Sequence, residues 1–343
     1  MNELGRPKTW TRDAILRLTG VLVLASSMTA SAQERRPAHA LVFPSAVELV
    51  NVNVSVVNGR DRFVTDLNRD DFVVLEDGVK QDLAVFRQEE LPISLVLLLD
   101  MSASMGPNVK AVRTAAARLV SKLRPQDEAQ IVEFNDHPQV LQDFTADREA
   151  LIAAINLTRA KGATALHNVL YITLKDMQRR RNTEELRRRA IVLLSDGEDT
   201  TSMVTDDQVL ETARTAEINI YSIMLAGQGT EADEKLEKAR YLLTSLARES
   251  GAQAFFPTQI AQLPGIYDRI AQELQSQYSI GYVPRKSELD GNWRQILVMI
   301  ARDGLRLRHR LGYYAVGDAP PLKTRTSDGS TTGTGPTRTA RLP

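Results

Sequence analysis

Asp100, Ser102 and Ser104 occupy alternate positions directly after the apolar run Ile93-Ser94-Leu95-Val96-Leu97-Leu98-Leu99. A strand buried on both faces reads as such a near-continuous run, and this one stops at a carboxylate followed by two hydroxyls. Ligands of open α/β sheets bind outside the carboxyl ends of the strands, so these side chains stand where a site would be built. One carboxylate with hydroxyl oxygens is a donor set suited to a hard cation such as Mg2+. The bare pattern Asp-x-Ser-x-Ser is weak. Its place at the end of a buried strand gives it weight.

The surrounding elements must hold these residues in place. From residue 91 to 277 strands alternate with helices, as a parallel sheet covered by helices requires. Val109, Val112, Ala116, Leu119, Val120 and Leu123 give the first helix one apolar stripe. Gly162-Ala163-Thr164 precedes a helix patterned by Leu166, Val169, Leu170, Leu174 and Met177. A second buried strand, 190–194, ends in Ser195-Asp196-Gly197. Short strands are expected at 129–134, 140–144, 218–225 and 252–256, and further helices at 206–217, 231–250 and 261–277.

The flanks follow a different grammar. Val50, Val52, Val54 and Val56 alternate with Asn51, Asn53 and Ser55, the period of a half-buried strand. Asn58-Gly59 and Asp77-Gly78 read as hairpin turns, the second joining strands at 72–75 and 83–86. After Gln277 strands are expected at 278–283, 293–300 and 305–314. Neither flank alone has enough strands for a stable core, but together they supply six or seven. The economical organisation is one β-sandwich built from 46–90 and 278–316, with 91–277 inserted between its halves.

These motifs together resemble the von Willebrand factor A (VWA) domain, over roughly residues 91–277. That family begins its metal-ion-dependent adhesion site (MIDAS) with Asp-x-Ser-x-Ser at the end of the first strand. It adds a Thr in a loop before a later helix and an Asp at the end of the fourth strand. The resemblance implies a doubly wound, mostly parallel six-stranded α/β sheet of Rossmann-like type. It implies that Ser102, Ser104 and Thr164 give hydroxyl oxygens to Mg2+, with Mn2+ or Ca2+ as alternatives, and that Asp100 and Asp196 give carboxylates. With only two carboxylates, the ion would stay electrophilic and ready for an acidic group from a protein partner. The whole plan also resembles secreted bacterial VWFA-related proteins described from acidobacteria, through Glu76-Asp77-Gly78, Trp293-Arg294 and Gly312-Tyr313-Tyr314. Two positions depart from the common pattern: Ala103 replaces a Gly, and His167-Asn168 replaces an aromatic–Asp pair. Neither position is a metal ligand in the family, but the rim that meets a partner can differ.

Composition sets the compartment. Residues 1–32 read as a secretory signal peptide. Arg6, Lys8, Arg12 and Arg17 precede a short apolar stretch at 18–25, and Ala30-Ser31-Ala32 is a cleavage pattern; an uncleaved anchor is the alternative. Residues 33–45 form a charged lead-in, and 317–343, rich in Gly, Thr, Pro and Arg, read as a disordered tail. No later stretch has the ~18 apolar residues of a membrane span. The chain has no cysteine, which excludes disulfides, thiol catalysis and Cys-ligated zinc. Its 43 basic residues balance 43 acidic ones, giving no reason to expect nucleic acid or an anionic membrane. An exported protein, periplasmic or secreted, is expected.

Blander readings compete at several residues. Ser-Asp-Gly at 195–197 is also a common strand-end turn, and Asp199 reads as a loop residue. His167 reads as a rim histidine with no role. The runs Arg179-Arg180-Arg181 and Arg187-Arg188-Arg189 read as a solvated helix end, with an anion-binding patch as the alternative. No G-x-S-x-G elbow or Walker loop occurs, and no base is placed beside the motifs. A non-enzymatic adhesion module is therefore expected. A structural envelope scaffold with an unused site and a metal-dependent hydrolase are the alternatives.

Overall fold

The computed structural model describes residues 49–88, 91–180, 187–197, 199–225 and 234–316. The expected leader, lead-in and tail lie outside them. In chain order, the N-terminal flank supplies β1 (Val50–Asn58), β2 (Phe72–Glu76), β3 (Val79–Gln81) and β4 (Leu83–Arg87). The central region runs β5 (Ile93–Asp100), α1 (Val109–Ser121), β6 (Glu128–Phe134), β7 (Pro138–Thr145), α2 (Arg148–Leu157), α3 (Leu166–Arg179) and β8 (Arg188–Ser195). It continues with α4 (Asp206–Ala216), β9 (Asn219–Met224), α5 (Glu234–Ser250), β10 (Ala254–Phe255) and α6 (Leu263–Ser276). The C-terminal flank adds β11 (Tyr278–Tyr282), β12 (Trp293–Ile300), β13 (Leu305–Arg308) and β14 (Gly312–Tyr314).

The central strands form one sheet in the order β10-β9-β8-β5-β6-β7, parallel except for β7, which runs antiparallel to β6. Alternation along β5 shows why its sequence is apolar throughout. Leu95, Leu97 and Leu99 pack with α1, α2 and α6 on one face, while Val96 and Leu98 pack with α3, α4 and α5 on the other. Helices on both faces make the sheet doubly wound, as the sequence indicates.

Two antiparallel sheets, β13-β1-β11-β4 and β14-β12-β2-β3, draw strands from both flanks. They share a core that includes Val52, Val54, Phe72, Val74, Tyr278, Ile280, Ile296 and Val298. The expected strands at 72–75 and 83–86 form but do not pair as one hairpin, and the expected strand 305–314 is broken. The Asp77-Gly78 turn pairs β2 with the short β3, and after Asp82 the chain changes sheets so that β4 pairs with β11. The run 305–314 divides: β13 pairs with β1 and β14 with β12. Its break lies over the end of α5. There Gly251, at φ +80°, approaches so closely that a Cβ would sit 2.5 Å from the Arg310 nitrogen. Leu311 N also donates to the Glu249 carbonyl (3.3 Å) rather than to a ladder partner.

A buried polar network binds the sandwich to the central sheet. Glu273 of α6, wholly buried, accepts hydrogen bonds from Ser55 Oγ (2.8 Å) and from Arg308 (2.6 Å). Gln277, between α6 and β11, donates to Ser55 Oγ (3.1 Å) and to the Tyr221 hydroxyl (3.3 Å). Of the arginine runs, Arg179 and Arg180 stay exposed at the end of α3, as a solvated helix end, while Arg188 and Arg189 join this framework. Arg188 is buried and donates to Leu91 O and Gln277 Oε1. Arg189 donates to the Met177 and Ala216 carbonyls at the ends of α3 and α4, where a cation complements the helix dipoles. No helix among the described residues is long and apolar enough to cross a membrane.

His309 sits at the break between β13 and β14. Its Nε2 accepts from Val298 N (3.2 Å), so the proton is on Nδ1, which faces the Arg310 carbonyl at 2.7 Å. Burial lowers its pKa below the usual 6.5, with the Arg310 carbonyl opposing. The unfolded chain then binds more protons than the native state at acid pH. Stability should be fully present above about pH 6.5 and fall as pH drops through the depressed native value. Urea titrations at pH 7.5 and 5.0 should show this loss in the wild type and a smaller one in His309→Gln; equal losses would mean that other groups cause it.

Candidate functional site

The register of the two central strands creates the site. β5 and β8 run side by side with Leu99 opposite Leu194, so both strands end together and their next polar residues meet. Asp100 is fully buried. Its Oδ2 accepts from Ser195 Oγ (2.6 Å) and its Oδ1 from Ser102 N (2.9 Å). Ser102 Oγ lies 3.0 Å from Ser104 Oγ, and Ser104 Oγ donates to the Asp196 carboxylate. Four of the five residues singled out in the sequence thus form one continuous polar cluster.

The fifth, Thr164, arrives on a loop tied to the first. Ala103 N donates to Gly162 O (3.1 Å) and Lys161 N to Met101 O (2.8 Å). Gly162 takes φ +74°, and a Cβ there would come within 2.7 Å of an Asp136 carboxylate oxygen. That carboxylate accepts from Ala163 N (2.9 Å) and fixes the turn. A third loop, after β8, holds Thr164 from the other side. Thr200 N and Thr201 N both donate to Thr164 O (2.9 and 3.2 Å), and Thr164 N donates to Thr200 Oγ1 (3.1 Å).

Burial pushes the Asp100 carboxyl up to about 6; the Asp196 charge adds to the rise, while hydrogen bonds from Ser195 and Ser102 oppose it. Two carboxylates that disfavour each other, beside clustered hydroxyls, are a setting a cation would relieve. Every donor is oxygen, which fits a hard divalent ion and not a soft one. Among the described residues no group of three or more His, Asp or Glu side chains is arranged to hold a metal. A cation would therefore depend on the hydroxyls.

Sequence reasoning passed over Ser195, Thr200 and Thr201. Ser195 is a polar residue at the last position of a buried strand, directly before Asp196, and that placement was the available signal. Thr200 and Thr201 carry none, because their role depends on where the loop folds back. Asp199 is a loop residue, accepting from Ser202 Oγ (2.7 Å). His167 does have partners: its Nδ1 lies 3.3 Å from Asp199, Asp206 and the Val204 carbonyl.

Residues 95–198 match the family model of the von Willebrand factor type A domain, and the chain contains a VWA domain. Over 67% of its length it is 24% identical to inter-alpha-trypsin inhibitor heavy chain H1 of Sus scrofa. Over 76% it is 26% identical to inter alpha-trypsin inhibitor heavy chain 4 of Mus musculus. The matched regions are 27% and 29% of those proteins, so the chain spans under a third of their length. Among solved structures it is similar to a von Willebrand factor type A protein from Catenulispora acidiphila, with a TM-score of 0.46 and 12% identity over 78% of this chain and 75% of that one. The von Willebrand factor domain of a type V pili tip protein from Porphyromonas gingivalis gives 0.44 and 17%, over 54% and 95%.

Removing the Ser195 hydroxyl should leave a buried carboxylate oxygen without its donor. Ser195→Ala is expected to lower stability by about 1–3 kcal/mol, measured by chemical denaturation in chelator. A change below 0.5 kcal/mol, roughly the size of a neutral surface substitution, would show that Ser195 does not hold Asp100.

Proposed function

We propose that this chain is an exported, non-enzymatic protein-binding module of adhesion type. Asp100, Ser102, Ser104, Thr164 and Asp196 would hold Mg2+, which Mn2+ or Ca2+ can replace. Bound there, the ion supplies an electrophilic position that a carboxylate from a partner protein completes. The hydrogen-bonded cluster from Asp100 through Ser102 and Ser104 to Asp196, at the ends of adjacent strands, carries this reading. VWA domains generally bind protein partners, which favours a module over a catalyst. Export rests on the basic and then apolar opening residues with Ala30-Ser31-Ala32.

A ligand that binds only the native state adds about 2.7 kcal/mol at a hundred times its Kd. Saturating Mg2+ should thus raise the melting temperature by roughly 5–10 °C. Asp100→Ala should abolish that rise and still fold, since the residue lies past the apolar part of its strand. A Mg2+ response in Asp100→Ala equal to the wild type would rule out the site.

Association with a partner should require the ion. A protein captured from envelope extract in Mg2+ should be released by EDTA, and Thr164→Ala should bind it more weakly without losing its fold. Equal retention in EDTA and Mg2+ would move the binding surface elsewhere, with the β-sandwich as the candidate.

A further inference from the structure

Met203 is the most exposed large apolar side chain among the described residues, at 92%. A lone exposed apolar residue is ordinary; the mounting of this one is not. Ala165, which precedes α3, has no side chain to cap the helix, and the loop after β8 does so instead. Asn168 N donates to Ser202 Oγ (3.1 Å). Asn168 Oδ1 in turn accepts from both Met203 N and Val204 N (3.1 Å each). His167 Nδ1 meets the Val204 carbonyl (3.3 Å). The backbone on both sides of Met203 is therefore fixed to the first turn of α3. That turn begins two residues after Thr164. Asp196 lies against Ser104, and Asp199 and Asp206 flank His167 of the same turn.

We infer that Met203 is a specificity-determining contact: the partner presents one carboxylate with a large apolar side chain within two or three residues, and not a run of acidic residues. The inference rests on the metal reading above. A preorganised loop loses little conformational freedom on binding, so an apolar contact made on it is retained as affinity. Met also adapts to apolar surfaces of varied shape. The surrounding aspartates disfavour every acidic group beyond the one that meets the ion.

The test is a phage-displayed random peptide library panned in Mg2+ on the full-length protein and eluted with EDTA. Wild type should select a single Asp or Glu with Leu, Ile, Phe or Met close by in sequence. Met203→Ser should keep the acid, lose the apolar preference and bind a selected peptide roughly tenfold or more weakly, the effect expected for one buried apolar side chain; Met203→Leu should restore both. The Mg2+-induced thermal shift should be unchanged in both variants. Selection of the same peptides at equal affinity by Met203→Ser, or of polyacidic peptides by wild type, would overturn this inference and leave the metal site standing. A Mg2+ thermal shift without any EDTA-eluted peptide would overturn it as well, and absence of both would overturn the metal reading too.

Discussion

A fully buried carboxylate at the end of β5 is the constraint on which the site is built. Burying a charge without compensation is costly, and Asp100 has lost its contact with water entirely. The compensation comes from the adjacent strand and from its own chain, through Ser195 Oγ and Ser102 N. Both depend on the parallel register of β5 and β8. A slip of one residue would turn the alternating Leu and Val side chains to the wrong faces and separate Asp100 from Ser195. The apolar pattern of two strands and the geometry of a polar site are thus one requirement.

The loops around this carboxylate follow from that arrangement. Each of the three loops completes hydrogen bonds that another lacks: Gly162 O, between α2 and α3, serves Ala103 N, and Thr164 O serves Thr200 N and Thr201 N. The loop after β8 also caps α3 in place of Ala165. His167-Asn168, where the family resemblance leads one to expect an aromatic–Asp pair, takes no part in the Asp100–Ser102–Ser104–Asp196 cluster. Its consequence is structural: Asn168 holds the loop that carries Met203 at the rim.

At the opposite end, the sandwich cannot be separated from the VWA sheet without exposing buried charge. Glu273, Arg308, Ser55, Gln277 and Tyr221 come from α6, β13, β1, the α6–β11 junction and β9, and they satisfy one another. Such a network is costly when broken. The central domain is therefore joined to the flanks by a polar network at α6, with no glycine or proline between helix and strand.

Much of this was legible in the chain. The apolar runs of β5 and β8, the helical stripes and the period-two flanks are local patterns set by burial on two faces, one stripe or one face, so fold class and the placement of Asp100, Ser102 and Ser104 could be read directly. Thr164 and Asp196 were legible through the family resemblance, because their nearness to Asp100 is a matter of strand order. The changes of sheet at Asp82 and at 309–311, the inward turn of Arg188 and Arg189, and the service of Ser195, Thr200 and Asn168 were decided only in three dimensions. Each depends on a partner distant in sequence, such as Glu249 for Leu311 or Thr164 for Thr200. Local periodicity records which face of an element is buried, but it holds no information on which distant polar group will be waiting there.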